Sequence, residues 1–245
     1  MTVDKPYSRC IFVAVVLFVA FQYFCNMKSE LILTEDGSNS LYVPEIDECY
    51  HSSHGAIQES RHIFIEAGLK QCRKSEINVL EVGFGTGLNA FLTMIEAERS
   101  GKQIQYVSLE KYPVETEKAL RLNYPEELSP GKRSCFEIMH LSAWNKKVQV
   151  TPFFSLEKTE ADFTQYTPEH KFDVIFFDAF SPEKQPEMWT QERFELIYRH
   201  CNHGAMLTTY CAKGAVRRAM QAAGFIVERL AGPQGKREIL RGIRR

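Results

Sequence analysis

The chain has 245 residues, 44% hydrophobic and 25% charged, with a formal net charge of −1. That composition belongs to an ordinary folded protein and excludes a long disordered tail, a collagen and a coiled-coil rod. The charge is unevenly placed: residues 211–245 hold nine Lys/Arg against two Asp/Glu, which suits either an anionic partner or a solvated face.

Residues 10–25, CIFVAVVLFVAFQYFC, form an apolar run with Lys5 and Arg9 before it. A membrane-spanning helix needs about 20 apolar residues, and no small-x-small cleavage site follows the run. A start placed upstream of Met27, a signal anchor and a buried helix are the three readings of residues 1–26, with the misplaced start favoured. From Met27 onward the composition is that of a soluble enzyme. The seven cysteines are widely spaced and include no CxxC. They form neither a disulfide framework nor a zinc site, and they point to a reducing cytoplasm with no metal.

Short β-type runs at 31–34 and 41–43 flank Glu35-Asp36-Gly37-Ser38 and predict an N-terminal hairpin. Residues 57–68 have helical spacing, with Gly68 as a stop. An alternation then begins: strand 78–82, helix 88–98, strand 104–110 and helix 115–123. Residues 172–178 read as a buried parallel strand, and 205–210 as another. Helix 215–223, ended by Gly224, precedes two strands at 225–230 and 238–243. The expected fold is α/β, a doubly wound Rossmann-like sheet with an antiparallel C-terminal edge strand and an N-terminal hairpin. Residues 124–171 show no clear period and read as an insertion in a domain running from 27 to 245.

Between the first core strand and its helix stands Glu81-Val82-Gly83-Phe84-Gly85-Thr86-Gly87. Glycines there let the backbone turn tightly and approach a ligand. The pattern is GxGxG, and Leu88 stands where a dinucleotide fingerprint needs its third glycine. S-adenosylmethionine (SAM), which has no phosphate, fits this turn better. Gly83, Gly85 and Gly87 would cradle it, and Glu81 would serve its cationic part. Glu110, at the next strand end, would accept its ribose hydroxyls. Asp162 stands where an acid can accept the adenine amino group or cap a helix.

Phe176-Phe177-Asp178-Ala179-Phe180-Ser181-Pro182 is the other constellation. Asp178 lies at a strand end beside the switch point where open α/β sheets bind ligands. A carboxylate there can take a proton from an amine, or orient it. Phe180 can stack on a flat base, and Pro182 stiffens the loop.

LEVGFGTGLN (80–89), FDVIFFDAFSP (172–182), MWTQERF (188–194) and YCAKGAVRRAMQAAGF with GKRE (210–238) closely resemble the methyltransferase domain of MnmC-type tRNA wobble-uridine modification enzymes. DGSNSLY (36–42) and ESRHIF (59–64) match that family's N-terminal portion. The resemblance runs from about Met27 to Arg241. It implies SAM-dependent methylation of 5-aminomethyl-2-thiouridine in the tRNA anticodon loop to 5-methylaminomethyl-2-thiouridine, with Asp178 as the catalytic residue. Many family members carry a fused FAD-dependent oxidoreductase. This sequence ends at Arg245, so it resembles the stand-alone form, with a separate oxidoreductase supplying its substrate. Lys213, Arg217, Arg218, Lys236 and Arg237 would form a basic rim holding tRNA phosphates. Two alternatives are a methyltransferase for another amine and a membrane-anchored SAM-binding protein without catalysis. Residues 1–26 precede the family's usual start, so a chain begun at Met27 is expected to stay soluble and active.

Overall fold

The computed structural model describes residues 28–245, and the apolar run at 10–25 lies outside the described residues. Among the described residues, no helix is long and apolar enough to cross a membrane.

The expected hairpin is present as β1 (Glu30–Leu33) and β2 (Asn39–Val43), antiparallel with Leu31 opposite Leu41. A further strand, β3 (Glu48–Cys49), pairs with β2 and is too short to leave a period in the sequence. The hairpin turn does a second job. Asp36 Oδ2 accepts the amide of Gln58 at 2.9 Å, and Ser38 Oγ accepts that of Ile57 at 3.3 Å. These side chains thereby cap α1 (Ala56–Ser60), whose own N-cap residue, Gly55, has no side chain to do so. The single helix expected over 57–68 is instead α1 followed by a π-helical turn, Arg61–Glu66. Ile63, Phe64 and Ile65 are all buried there. An α-helix would spread three consecutive residues over about 200° of its circumference.

The main sheet has eight strands: β4 (Glu76–Val82), β5 (Gln103–Glu110), β6 (Lys146–Thr151), β7 (Phe154–Glu160), β8 (Phe172–Phe177), β9 (Cys201–Thr209), β10 (Ile226–Ala231) and β11 (Glu238–Ile243). Their order is β10-β11-β9-β8-β4-β5-β7-β6. The pairs β8–β9, β4–β8, β4–β5 and β5–β7 are parallel. The expected antiparallel C-terminal strand is β11, which sits between β9 and β10 rather than outermost. From β4 the chain steps to β5 on one side and returns to β8 on the other, which opens a crevice at their carboxyl ends.

Helices α2 (Leu88–Ser100), α3 (Thr116–Ala119), α4 (Tyr124–Leu128), α5 (Arg133–Leu141), α6 (Gln191–Arg199) and α7 (Gly214–Ala222) complete the fold. All six residues of β8 are buried. Val174 and Phe176 join the cluster around Phe91 of α2, while Ile175 and Phe177 join that around Phe194 of α6 and Met220 of α7. The sheet is therefore covered on both faces. Each fully buried side chain of this size contributes about 1.5–3 kcal/mol.

Two further expectations fail. Residues 124–171 are not an insertion outside the sheet: they supply β7, parallel to β5, and β6, antiparallel to β7. The helix expected over 115–123 shrinks to α3, and a separate helix, α4, begins at Tyr124 with Pro125 in its first turn, where a proline is tolerated.

Candidate active site

The turn from β4 into α2 runs its residues 83–86 along the floor of a pocket of about 290 Å³ at the carboxyl ends of β4, β5 and β8. Gly83 has φ 97°, and its amide donates to the Leu109 carbonyl at 2.9 Å. A Cβ on Gly83 would lie 2.6 Å from the Asp178 carbonyl oxygen. Its absence lets the turn pack directly against the end of β8. Gly85 has φ 49° and lies under Tyr50, whose ring a Cβ would meet at 2.8 Å.

The Gly85 amide donates to Glu110 Oε2 at 3.0 Å and the Tyr112 amide to Oε1 at 2.9 Å. Two backbone donors thus fix the carboxylate on the pocket wall. Burial pushes the Glu110 carboxyl above its usual range, against the lowering effect of these amides. Burial would also raise Asp162, but its ion pair with Lys111 at 2.7 Å and its bonds from Thr164 hold it below the usual range. Asp162 Oδ1 accepts both the amide and the hydroxyl of Thr164, an Asx turn on the pocket wall.

Asp178 follows β8, and its Oδ2 accepts from Asn89 Nδ2 of α2 at 2.8 Å. Burial pushes its carboxyl up to about 7, and the Asn89 bond opposes the shift. Phe180 meets Tyr50 edge-to-face at 5.1 Å, and its carbonyl accepts from the Trp189 indole at 2.8 Å. Tyr210 donates its hydroxyl to the Ala179 carbonyl at 2.9 Å, which steadies the same loop.

Of the residues expected here, Gly83, Gly85, Glu110, Asp162, Asp178, Phe180 and Lys236 line the pocket. Seven expected residues do not. Glu81, within β4, is fully buried between its neighbours, and Ser108 Oγ of β5 donates to its Oε2. Gly87 caps α2 and packs against the His140 ring, 2.9 Å from where its Cβ would be. Pro182 is half-buried and does not line the pocket. Lys213 is paired with Glu183. Arg217, Arg218 and Arg237 lie outside the pocket, on α7 and the loop before β11, with Arg218 and Arg237 exposed.

Tyr50, Glu59 and Asn89 also line the pocket, and sequence reasoning did not single them out. An acid in the first turn of a helix reads as a partner for the helix dipole, which hid Glu59. Asn89 sits next to the glycine motif, yet its target is 89 residues away.

The family described as S-adenosyl-L-methionine-dependent methyltransferase matches residues 142–245. A protein of Nitrosospira multiformis, named tRNA 5-methylaminomethyl-2-thiouridine biosynthesis bifunctional protein MnmC, is 31% identical over 84% of this chain and 35% of its own length. Its namesake in Pseudomonas syringae pv. syringae is 32% identical over 81% of this chain and 32% of its own. This chain belongs to the S-adenosyl-L-methionine-dependent methyltransferase family, within the MnmC methyltransferase domains. It spans about a third of the length of the curated relatives it matches. The crystal structure of MNMC2 from Aquifex aeolicus superposes with a TM-score of 0.73 at 24% identity, covering 98% of this chain and 77% of that one, and it shares the fold.

The pocket fits the methyl donor of this family. Two side-chain-free positions with positive φ form its floor, and a carboxylate pinned by two amides stands at the β5 end. Gly83 and Gly85 would hold the chain of the methionine part close to the backbone, and Glu110 would accept the ribose hydroxyls. Gly85→Val puts a branched side chain at φ 49° into the Tyr50 ring, a strain of about 1–3 kcal/mol. SAM affinity should fall about tenfold or more by calorimetry, and unchanged affinity in the folded variant would refute this use of the turn.

Proposed function

We propose that this chain methylates the primary amine of 5-aminomethyl-2-thiouridine at the tRNA wobble position, giving 5-methylaminomethyl-2-thiouridine. The observation that carries the reading is Asp178: a carboxyl anchored through one oxygen, raised to about 7, and facing a pocket whose wall includes the Phe180 ring. The names of the curated relatives support the same substrate.

An alkylammonium has a pKa near that of lysine, about 10.4, and must lose a proton before its nitrogen can attack. Asn89 holds Asp178 Oδ2, which leaves Oδ1 to take that proton and to orient the amine. SAM, when bound, supplies an electrophilic methyl carbon whose bond to sulfur breaks as the nitrogen attacks, the electron pair staying on sulfur. Phe180 offers a face to the uracil ring, and the Tyr50 ring packs against Phe180 in a T-shaped contact. The wobble base already lies in a single-stranded loop, so turning it outward costs little.

The phosphates beside the base would meet a narrower basic rim than the sequence suggests. Lys111, Lys184 and Lys236 line the pocket, while Arg218 and Arg237 are exposed outside it. Replacing Arg218 and Arg237 by Ala should weaken tRNA binding and flatten its salt dependence by about 1.4 in slope, near 0.7 per lost single-strand contact. SAM affinity should not change. Binding isotherms that superpose on the wild type at every salt concentration would leave both arginines as solvated surface.

The aminomethyl substrate would come from a separate FAD-dependent oxidoreductase acting on a carboxymethylated precursor. The free cysteines, Cys49, Cys72, Cys135, Cys201 and Cys211, suit a reducing cytoplasm. The deciding experiment incubates the protein with SAM and tRNA from a strain lacking the activity. Mass spectrometry of the digested nucleosides should show one added methyl group on the wobble base. No such product, with SAM bound normally, would move the search to another amine.

A further inference from the structure

Glu59 has the features of a ligand-facing group that the proposed reaction has not yet used. Only 8% of its surface is exposed. Its Oε2 is held by the Ser52 amide at 2.8 Å. Its Oε1 is buried with no hydrogen-bond partner, and the residue lines the same pocket as Asp178. The nearest charge is Lys236 Nζ, 3.3 Å from Oε1 but outside hydrogen-bonding geometry, with the ammonium 4.9 Å from the centre of the Tyr210 ring. A cation therefore already stands where Glu59 looks into the pocket. Asp178 is placed in the same way: one oxygen is tied, to Asn89, and the residue faces the pocket. After burial and the Asn89 bond, the charge of Glu59 is the next influence on Asp178, and that of Lys236 follows. The three groups form one cluster.

A neutral primary amine in the act of attack has one lone pair pointing forward and two N–H bonds pointing aside. Both N–H bonds need acceptors once the amine has left water. We infer that Glu59 Oε1 is the second of these acceptors, beside Asp178, and that it ends the reaction after one methyl group. The inference rests on the amine-methylation reading above. In the product one N–H has become N–CH3. For a second attack, the remaining N–H can satisfy only one acceptor oxygen, and the methyl group must face the other, a buried oxygen left without a hydrogen bond. Glu59 thus favours the primary amine and disfavours the methylated one. Lys236, on the loop between β10 and β11, holds the charge of Glu59 until the substrate amine takes its place.

The test compares wild type, Glu59→Gln and Glu59→Met on tRNA carrying 5-aminomethyl-2-thiouridine. All three should bind SAM equally by calorimetry, which also reports an intact fold. Glu59→Met should lose about 10- to 100-fold in kcat/KM, the worth of one hydrogen bond to a charged group. In long incubations it should yield a dimethylamino nucleoside that the wild type does not make. Glu59→Gln can keep the Ser52 bond through its carbonyl oxygen while turning an N–H toward the amine, so its kcat/KM should fall at least as far. Wild-type kinetics and a single monomethylated product from both variants would overturn the inference while leaving the proposed function standing. A slowed Glu59→Met that still stops at one methyl group would overturn the role in stopping the reaction. Loss of SAM affinity in both variants would mean that Glu59 acts through the fold. A wild-type chain that binds SAM but methylates no aminomethyl uridine would overturn the function itself, and the inference with it.

Discussion

Asp178→Asn should bind SAM within about twofold of the wild type and lose about 10²- to 10⁴-fold in methyl transfer, the usual worth of a positioned general base. The amide keeps the size of the carboxyl group and can keep its place beside Asn89, so the pocket should survive. It cannot take a proton from an ammonium. The wild type should also show the group in its pH profile. Burial raises the Asp178 carboxyl to about 7, and only the ionised form accepts a proton. The single-turnover rate should therefore fall about tenfold for each pH unit below about 7, and Asp178→Asn should lack that limb. A variant turning over at the wild-type rate would reduce Asp178 to a turn residue before a proline-containing loop.

The parts of this site that were legible in the sequence are those in which strand, turn and chemistry are contiguous. The glycine turn follows β4 directly, and Asp178 follows β8 directly, so each could be read within ten residues. Glu59 and Tyr50 come from α1 and the segment after β3, and only the packed fold brings them to the pocket, whereas Lys236, on the loop before β11, was legible as a basic residue near the cleft. β7 was hidden for a different reason. Its sequence FSLEKTE reads as polar, yet Lys158 is 1% exposed, donating to the His140 carbonyl at 2.9 Å with its ammonium 4.7 Å from the centre of the Trp144 ring. A lysine on the buried face breaks the apolar alternation on which strand reading depends. Glu81 stays off the pocket wall through depth, not face. It pairs with Ser108 and Phe176, so by strand alternation it shares a face with Glu110 and Asp178, but it lies two positions short of them along the strands and does not reach the pocket.

Its burial gives Glu81 a thermodynamic signature instead. The residue has no exposed surface; Oε2 accepts from Ser108, and Oε1 has no hydrogen-bond partner among the described residues. Burial pushes its carboxyl up to about 8 from 4.5, so the folded chain holds a proton that the unfolded chain releases. The sign follows from linkage: the group's stabilisation is complete below about 4.5 and is lost as pH rises through about 8. The loss amounts to several kcal/mol, at about 1.4 kcal/mol per pKa unit. Asp178 is raised in the same direction, so it adds a loss of its own over lower pH, and only a difference between variants isolates Glu81. Glu81→Gln has no proton to lose and keeps the volume. Urea unfolding at pH 5.5, 7 and 9 should show the variant gaining on the wild type at each step, by several kcal/mol in all. SAM affinity at pH 7 should be nearly equal in the two proteins, since Glu81 is neutral there and off the pocket wall. Parallel stability curves for the two proteins over this range would show Glu81 to be ionised in the fold. A large loss of SAM affinity would return it to the cofactor site.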